Sequence, residues 1–255
     1  MHMYSLNFIE CLLRINEDFR LNLGGRSNNS PHPGNNKIVS YPEFKANTVK
    51  KNNLIQFKPQ LWTPSDSKYW GQFGVSLELL EHYNVYSAKY VFLNKKLILR
   101  YSTYNPIYCY KFEDNRVKVY RPLADKTKFK WMSNINSDVI QGLYQLPANG
   151  ENLIITKSLK DVMCLNVLGF AAIAPQSETT YISDHIIDAI TYRFKNIYIL
   201  FDYDEAGING ADALCKRIDC NVIFLNTGYK DVSDNIYIYG LEKTKEIVQT
   251  LMKNE

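Results

Sequence analysis

Residues 197–212 read IYILFDYDEAGINGAD. The apolar run Ile197–Phe201 passes directly into Asp202-Tyr203-Asp204, and Gly207 and Gly210 follow. A short apolar run bounded by a turn suits a strand buried on both faces, as in a parallel sheet. The flanking sequence repeats the unit. Upstream, the strand Leu153–Thr156 leads into a helical stretch ending at Gly169, and a second strand, Ala171–Ala174, stops at Pro175. Ser183–Phe194 then places Ile186, Ile187, Ile190 and Phe194 on one helical face. Downstream come a helix over about Ala206–Arg217, the strand Val222–Leu225, the loop TGYKDVSD and a final helix to about Lys253. Strands alternating with helices predict an α/β domain over 151–255, a four-stranded parallel sheet flanked by helices. Its crossovers are expected to be right-handed.

The preceding residues have another rhythm. Residues 85–121 alternate as VFL, KLILRY, YCYKF and VKVYRP, with Asn94-Lys95 and Asp114-Asn115 as turns. Residues 65–83 suggest short helices broken by Gly71 and Gly74, with Trp62, Tyr69 and Trp70 in the core. Residues 54–150 are therefore expected to form an α+β subdomain with an antiparallel sheet. Residues 24–53, rich in Gly, Asn, Ser and Pro, read as a flexible linker. Residues 6–23 read as an amphipathic helix closing a segment 1–23, with Phe8, Leu12, Ile15 and Phe19 in register.

Across 255 residues, 45% are hydrophobic and 22% charged, which excludes a disordered or collagen-like chain. No apolar run is long enough to span a membrane, and the N-terminus lacks the pattern of a secretory signal. A cytoplasmic protein is expected, and five cysteines without C-x-x-C spacing fit reduced thiols. The net charge of +4 is unevenly divided. Residues 1–150 carry 20 Lys and Arg against 11 Asp and Glu, and residues 151–255 carry 10 against 15. A basic half joined to an acidic half suits a polyanion held by one and divalent cations by the other.

In parallel sheets ligands sit beyond the carboxyl ends of the strands. Side chains alternate along a strand, so Asp202 and Asp204 are expected to point to one side and Tyr203 to the other. Asp231 and Asp234 follow the next strand. Such oxygen ligands suit Mg²⁺ or Mn²⁺, with Gly207 and Gly210 allowing close approach to a substrate. The competing reading makes Asp204 the cap of the next helix. In the basic half, Lys111, Lys118 and Arg121 lie on strands, and Lys126, Lys128 and Lys130 precede Trp131. Lysine and arginine bind phosphates without reading sequence, and Tyr108, Tyr110, Tyr120 and Trp131 can stack on unpaired bases. The alternative is that these rings pack the sheet.

The segments LIITKSLKDVMCLNVLGFAAIAPQSE, YILFDYDEAGINGA and GYKDVSDNIYIYG resemble the TOPRIM domain of bacterial-type and phage DNA primases, also found in topoisomerases and some nucleases. NPIYCYKFEDNRVKVYRPLADKTKFKW resembles the basic subdomain of primase polymerase cores, and SLNFIECLLRINEDF the helix that closes their zinc-binding domain. The upstream likeness favours primase among TOPRIM proteins. The resemblance implies DNA-directed RNA primer synthesis, in phage replication within a bacterial host cytoplasm. The substrates would be a single-stranded template and nucleoside triphosphates. A replicative helicase, or a separate zinc-ribbon polypeptide, would be the partner. It implies metal ligation by Asp202, Asp204 and Asp231, and phosphate binding by Lys111, Lys118, Arg121, Lys128 and Lys130 with Trp131.

Two departures bear on catalysis. Where TOPRIM proteins place a Glu, this chain has Lys157, while Asp161 keeps the helical Asp. A protonated lysine cannot ligate Mg²⁺. Lys157 either ends metal catalysis, or binds a phosphate as a point charge, or is compensated by another carboxylate, for which Glu178 is the candidate. Asp161 is expected to orient the loop or Lys157. The ribbon cysteines are also missing from the sequence, and no G-x-x-x-x-G-K-[ST] loop is present for a helicase motor. The alternatives are a catalytically silent single-strand-binding or replisome scaffold protein and a TOPRIM nuclease.

Overall fold

The computed structural model describes residues 53–124 and 129–254, within one compact unit, Phe44–Glu255. The helix expected over 6–23 and nearly all of the 24–53 linker lie outside the described residues, as do Lys126 and Lys128. No helix among the described residues is long and apolar enough to cross a membrane.

The first half forms β1 (Ile55–Pro59), α1 (Pro64–Gly71), α2 (Leu77–His82), β2 (Val85–Leu93), β3 (Lys96–Arg100), β4 (Tyr108–Lys111), β5 (Val117–Tyr120) and β6 (Trp131–Ser133). All pairings are antiparallel, in the order β1-β2-β4-β5-β6 with β3 against β2. Asn94 (φ 49°) and Lys95 (φ 67°) turn the β2–β3 hairpin, both left-handed as a tight two-residue connection requires. The second turn tightens into a single 3₁₀ turn at Glu113–Asn115. Thr63 and Asp66 form a reciprocal cap on α1, with Pro64 in its first turn. The fully buried Asp66 also accepts hydrogen bonds from Ser87, Tyr101 and Tyr108, so its carboxylate holds α1 to the sheet.

The second half forms β7 (Gly150–Ile155), α3 (Leu159–Val167), β8 (Ala171–Ile173), α4 (Asp184–Arg193), β9 (Phe194–Leu200), α5 (Glu205–Cys215), β10 (Asn221–Ile223) and α6 (Val232–Lys253). The four strands are parallel in the order β10-β9-β7-β8. Leu153, Ile155, Ile197 and Ile199 pack on α4 and α5, while Ile154, Tyr198 and Leu200 face α3 and α6. Covering both faces makes the strands apolar throughout, as their sequence indicates. A break at Gly240 (φ 78°) interrupts α6.

The halves share a core. Trp70, Leu80, Tyr108, Tyr110 and Tyr120 pack in one cluster with Leu159, Val162, Met163 and Cys164 of α3. Trp70 is fully buried, and Trp62 and Tyr69 pack against this cluster, in keeping with the core assignment. At roughly 1.5–3 kcal/mol per fully buried large apolar side chain, this junction resists opening. The antiparallel sheet is thereby fixed against the carboxyl end of the parallel one.

Candidate functional site

A cleft of about 570 Å³ lies at that junction. Its first wall comes from β5 and β6. Alternation on β5 sends Val117 and Val119 into the sheet's own core and brings Lys118 and Tyr120 to the cleft. Tyr120 stacks on Trp131 with ring centroids 4.0 Å apart and planes 13° from parallel. Lys118 lies over the Trp131 ring at 5.0 Å and donates to Gln141 Oε1 at 3.3 Å. Burial lowers its ammonium pKa to about 8. Lys130 completes this wall.

The opposite wall comes from loops after the parallel strands and from the start of α3. Lys157 follows β7, Glu178 follows β8, and Asp231 immediately precedes α6. The Lys157 ammonium donates to Asp202 and to Asp231, joining the loops after β9 and β10. Burial alone would lower its pKa, but the field of Asp161 and the bonds to Asp202 and Asp231 outweigh it and hold the ammonium charged. Ser158 caps α3: its Oγ accepts from the Asp161 N–H at 3.2 Å and donates to Asp161 Oδ2 at 2.7 Å. Asp161 Oδ1 is buried without a partner, as is Ser233 Oγ, and both residues line the cleft. Burial and the neighbouring Asp231 raise the Asp161 pKa. Lys160 lies over the Phe73 ring at 3.9 Å and also lines the cleft.

The sequence-derived residues are thus divided. Lys118, Lys130, Trp131, Lys157, Asp161, Glu178 and Asp231 line one cavity, and Asp202 meets Lys157 at its edge. Lys111 is exposed and away from the cleft, and Lys128 is outside the described residues. Arg121 is also away from it: the guanidinium is buried over Phe129 at 4.9 Å and donates to that residue's carbonyl at 3.3 Å. The strand ends at Leu200, before the acidic triplet, so the alternation expected for Asp202 and Asp204 does not apply. Instead Asp204 caps α5, accepting from the Gly207 N–H at 3.2 Å, and its other oxygen accepts from Lys230 at 2.8 Å. Those hydrogen bonds, from Lys230 first, lower the Asp204 pKa. Glu178 Oε1 accepts from the Asp202 N–H at 2.7 Å.

The glycines are required by close backbone packing. A Cβ on Gly207 would come within 2.1 Å of the Asp202 carbonyl, and one on Gly210 within 2.3 Å of the Glu178 carbonyl. They let α5 press against the backbone that carries the carboxylates. Sequence reasoning missed Lys160, Ser233 and Lys230; only a Lys one residue before Asp161 and another one before Asp231 signalled a cationic contribution.

Among the described residues, no three His, Cys, Asp or Glu side chains are grouped as metal ligands. Asp202 and Asp231 nevertheless converge on a single cation, the Lys157 ammonium. Carboxylate oxygens are the donors that hard divalent ions take, and here the pair holds an ammonium.

Neither a family model nor a curated protein sequence matches the chain. Solved structures do. The DnaG catalytic core aligns with a TM-score of 0.55 at 17% identity, over 75% of this chain and 74% of that one. A DnaG primase catalytic domain bound to single-stranded DNA aligns with a TM-score of 0.55 at 17% identity, over 76% and 74%. The chain has the fold of a primase catalytic core. The Aquifex aeolicus primase, with its zinc-binding and RNA polymerase domains, aligns with a TM-score of 0.54 at 16% identity over 74% of this chain. This chain spans 56% of that primase structure.

Proposed function

We propose that the chain acts in DNA replication as a DNA primase, joining nucleoside triphosphates into short RNA primers on a single-stranded template. The observation that carries this reading is the cleft, where a cationic, aromatic wall faces carboxylates within a primase fold. Lys118, Lys130 and Lys160 would hold phosphates, and Trp131 would offer a ring to an unpaired base. Lys111, expected from the sequence to join them, could act only on template running beyond the cleft, and the guanidinium of Arg121 is engaged with Phe129. Asp161, oriented by Ser158, would accept a hydrogen bond from a ligand hydroxyl at its unpartnered oxygen. Asp202, Asp204, Asp231 and Glu178 are the residues that would hold Mg²⁺ or Mn²⁺, which when bound activates a 3′-hydroxyl and neutralises the leaving pyrophosphate. A phage origin, a helicase partner and a separate zinc-ribbon polypeptide belong to the same proposal through the sequence resemblance.

A second reading is favoured by one observation: the Lys157 ammonium already occupies both Asp202 and Asp231. Under it the chain binds single-stranded DNA without polymerising. Incubation with single-stranded DNA, labelled ribonucleotides and Mg²⁺ or Mn²⁺ separates the two. Labelled RNA chains that disappear in Asp202→Asn support priming. DNA binding with no labelled product supports the second reading, and cleaved template would refute both.

A further inference from the structure

We infer that Lys157 is a tethered counter-cation that closes the Asp202–Asp231 pair to divalent ions, so that a metal enters only by displacing it. Lys157 stands two residues beyond the end of β7, the strand adjacent to β9, and its ammonium bridges carboxylates of two different loops. The side chains of Lys157 and Asp202 are 18% and 16% exposed, so solvent screens this contact far less than a surface ion pair. A divalent cation approaching the same oxygens meets a like charge in contact with them. The ammonium, in turn, gives up both carboxylates when it leaves. Being tethered, it competes at a high effective concentration that no added metal dilutes.

Lys157 and Ser158 line the cleft opposite Lys118 and Lys130, so a phosphate held by those lysines offers the displaced ammonium a new partner. Occupation of the cleft by a polyphosphate or nucleic-acid backbone thus favours metal entry. The inference deepens the proposed function and rests on it for the identity of the anion. The closure itself depends only on the three side chains.

Titration with Mn²⁺ alone, followed by electron paramagnetic resonance of the free ion, reads the closure directly. In Lys157→Met, which keeps the length and removes the charge, Mn²⁺ should bind about ten-fold or more tightly than in the unsubstituted chain. Asp202→Asn in the Lys157→Met background should abolish that gain, locating it at this pair. Equal affinities in the two chains overturn the inference, as does a gain that survives Asp202→Asn. Lys157→Gln serves as a second neutral variant, with circular dichroism confirming that each chain is folded. Priming by the unsubstituted chain together with equal Mn²⁺ affinities would remove the inference and leave the function standing. A ten-fold gain without any priming would do the reverse.

Discussion

Lys118, Tyr120 and Trp131 are carried into the cleft by paired strands, whereas Lys157, Glu178 and Asp231 stand in the segments that follow strands. On the strand side, register alone decides direction: Lys118 pairs with Ser133 and Tyr120 with Trp131, so the stacked rings are set by the ladder. On the loop side, each carboxylate is held by a separate local contact: Asp202 by Lys157, Glu178 by the Asp202 amide, and Asp204 by Lys230 and its helix start. A sheet wall is therefore robust and sequence-tolerant, while a loop rim is a chain of dependencies in which small residues matter most.

The largest expected effect tests that dependence. Gly207→Ala forces a methyl group onto the Asp202 carbonyl, where the space is 2.1 Å. It should destabilise the fold by about 3 kcal/mol, read from chemical denaturation. A loss below about 1 kcal/mol would show that the rim can yield. Next, Trp131→Ala should weaken single-stranded DNA binding by about 1–3 kcal/mol in fluorescence anisotropy while Asp231→Asn does not weaken it. A reversal of that order would place affinity on the rim instead of the wall.

The third test uses pH. Because burial lowers Lys118 to about 8, its charge is lost as pH rises through that value, well before an ordinary lysine loses its own. DNA affinity should therefore fall severalfold between about pH 7 and pH 9, a range set by that depressed ammonium, and Lys118→Arg should flatten the profile. An identical fall in the arginine variant would assign the titration elsewhere. The smallest effect is expected at Lys230→Ala, which removes an exposed pair and should leave the denaturation midpoint unchanged. Asp204→Ala, by also removing the cap of α5, should lower that midpoint measurably.

The same contrast explains what could be read from the sequence. The parallel strands, their helices and the Asn94-Lys95 hairpin are governed by periodicity and local backbone preference, which one sequence displays. Lys118 and Tyr120 share one face by the alternation that any strand imposes. Asp204 was not so legible, because its direction depends on where β9 stops, and the apolar run does not mark that point: it extends through Phe201. Arg121 obeyed alternation and for that reason faces Phe129, away from the cleft. Lys160 and Ser233 owe their positions to the docking of α3 and α6, a tertiary relation without a local signature. The strand β6 lacks an apolar run and is marked only by its pairing with β5.

Gln141 links the two sides. Its backbone exchanges hydrogen bonds of 2.7 and 2.9 Å with Ala174, its side-chain amide donates to the Pro175 carbonyl at 2.8 Å, and its oxygen receives Lys118. This fully buried residue thus straps the sheet bearing the lysine to the turn bearing Glu178. One side chain thereby ties both walls of the cleft together, so that loosening it would release the lysine and the Glu178 turn at once.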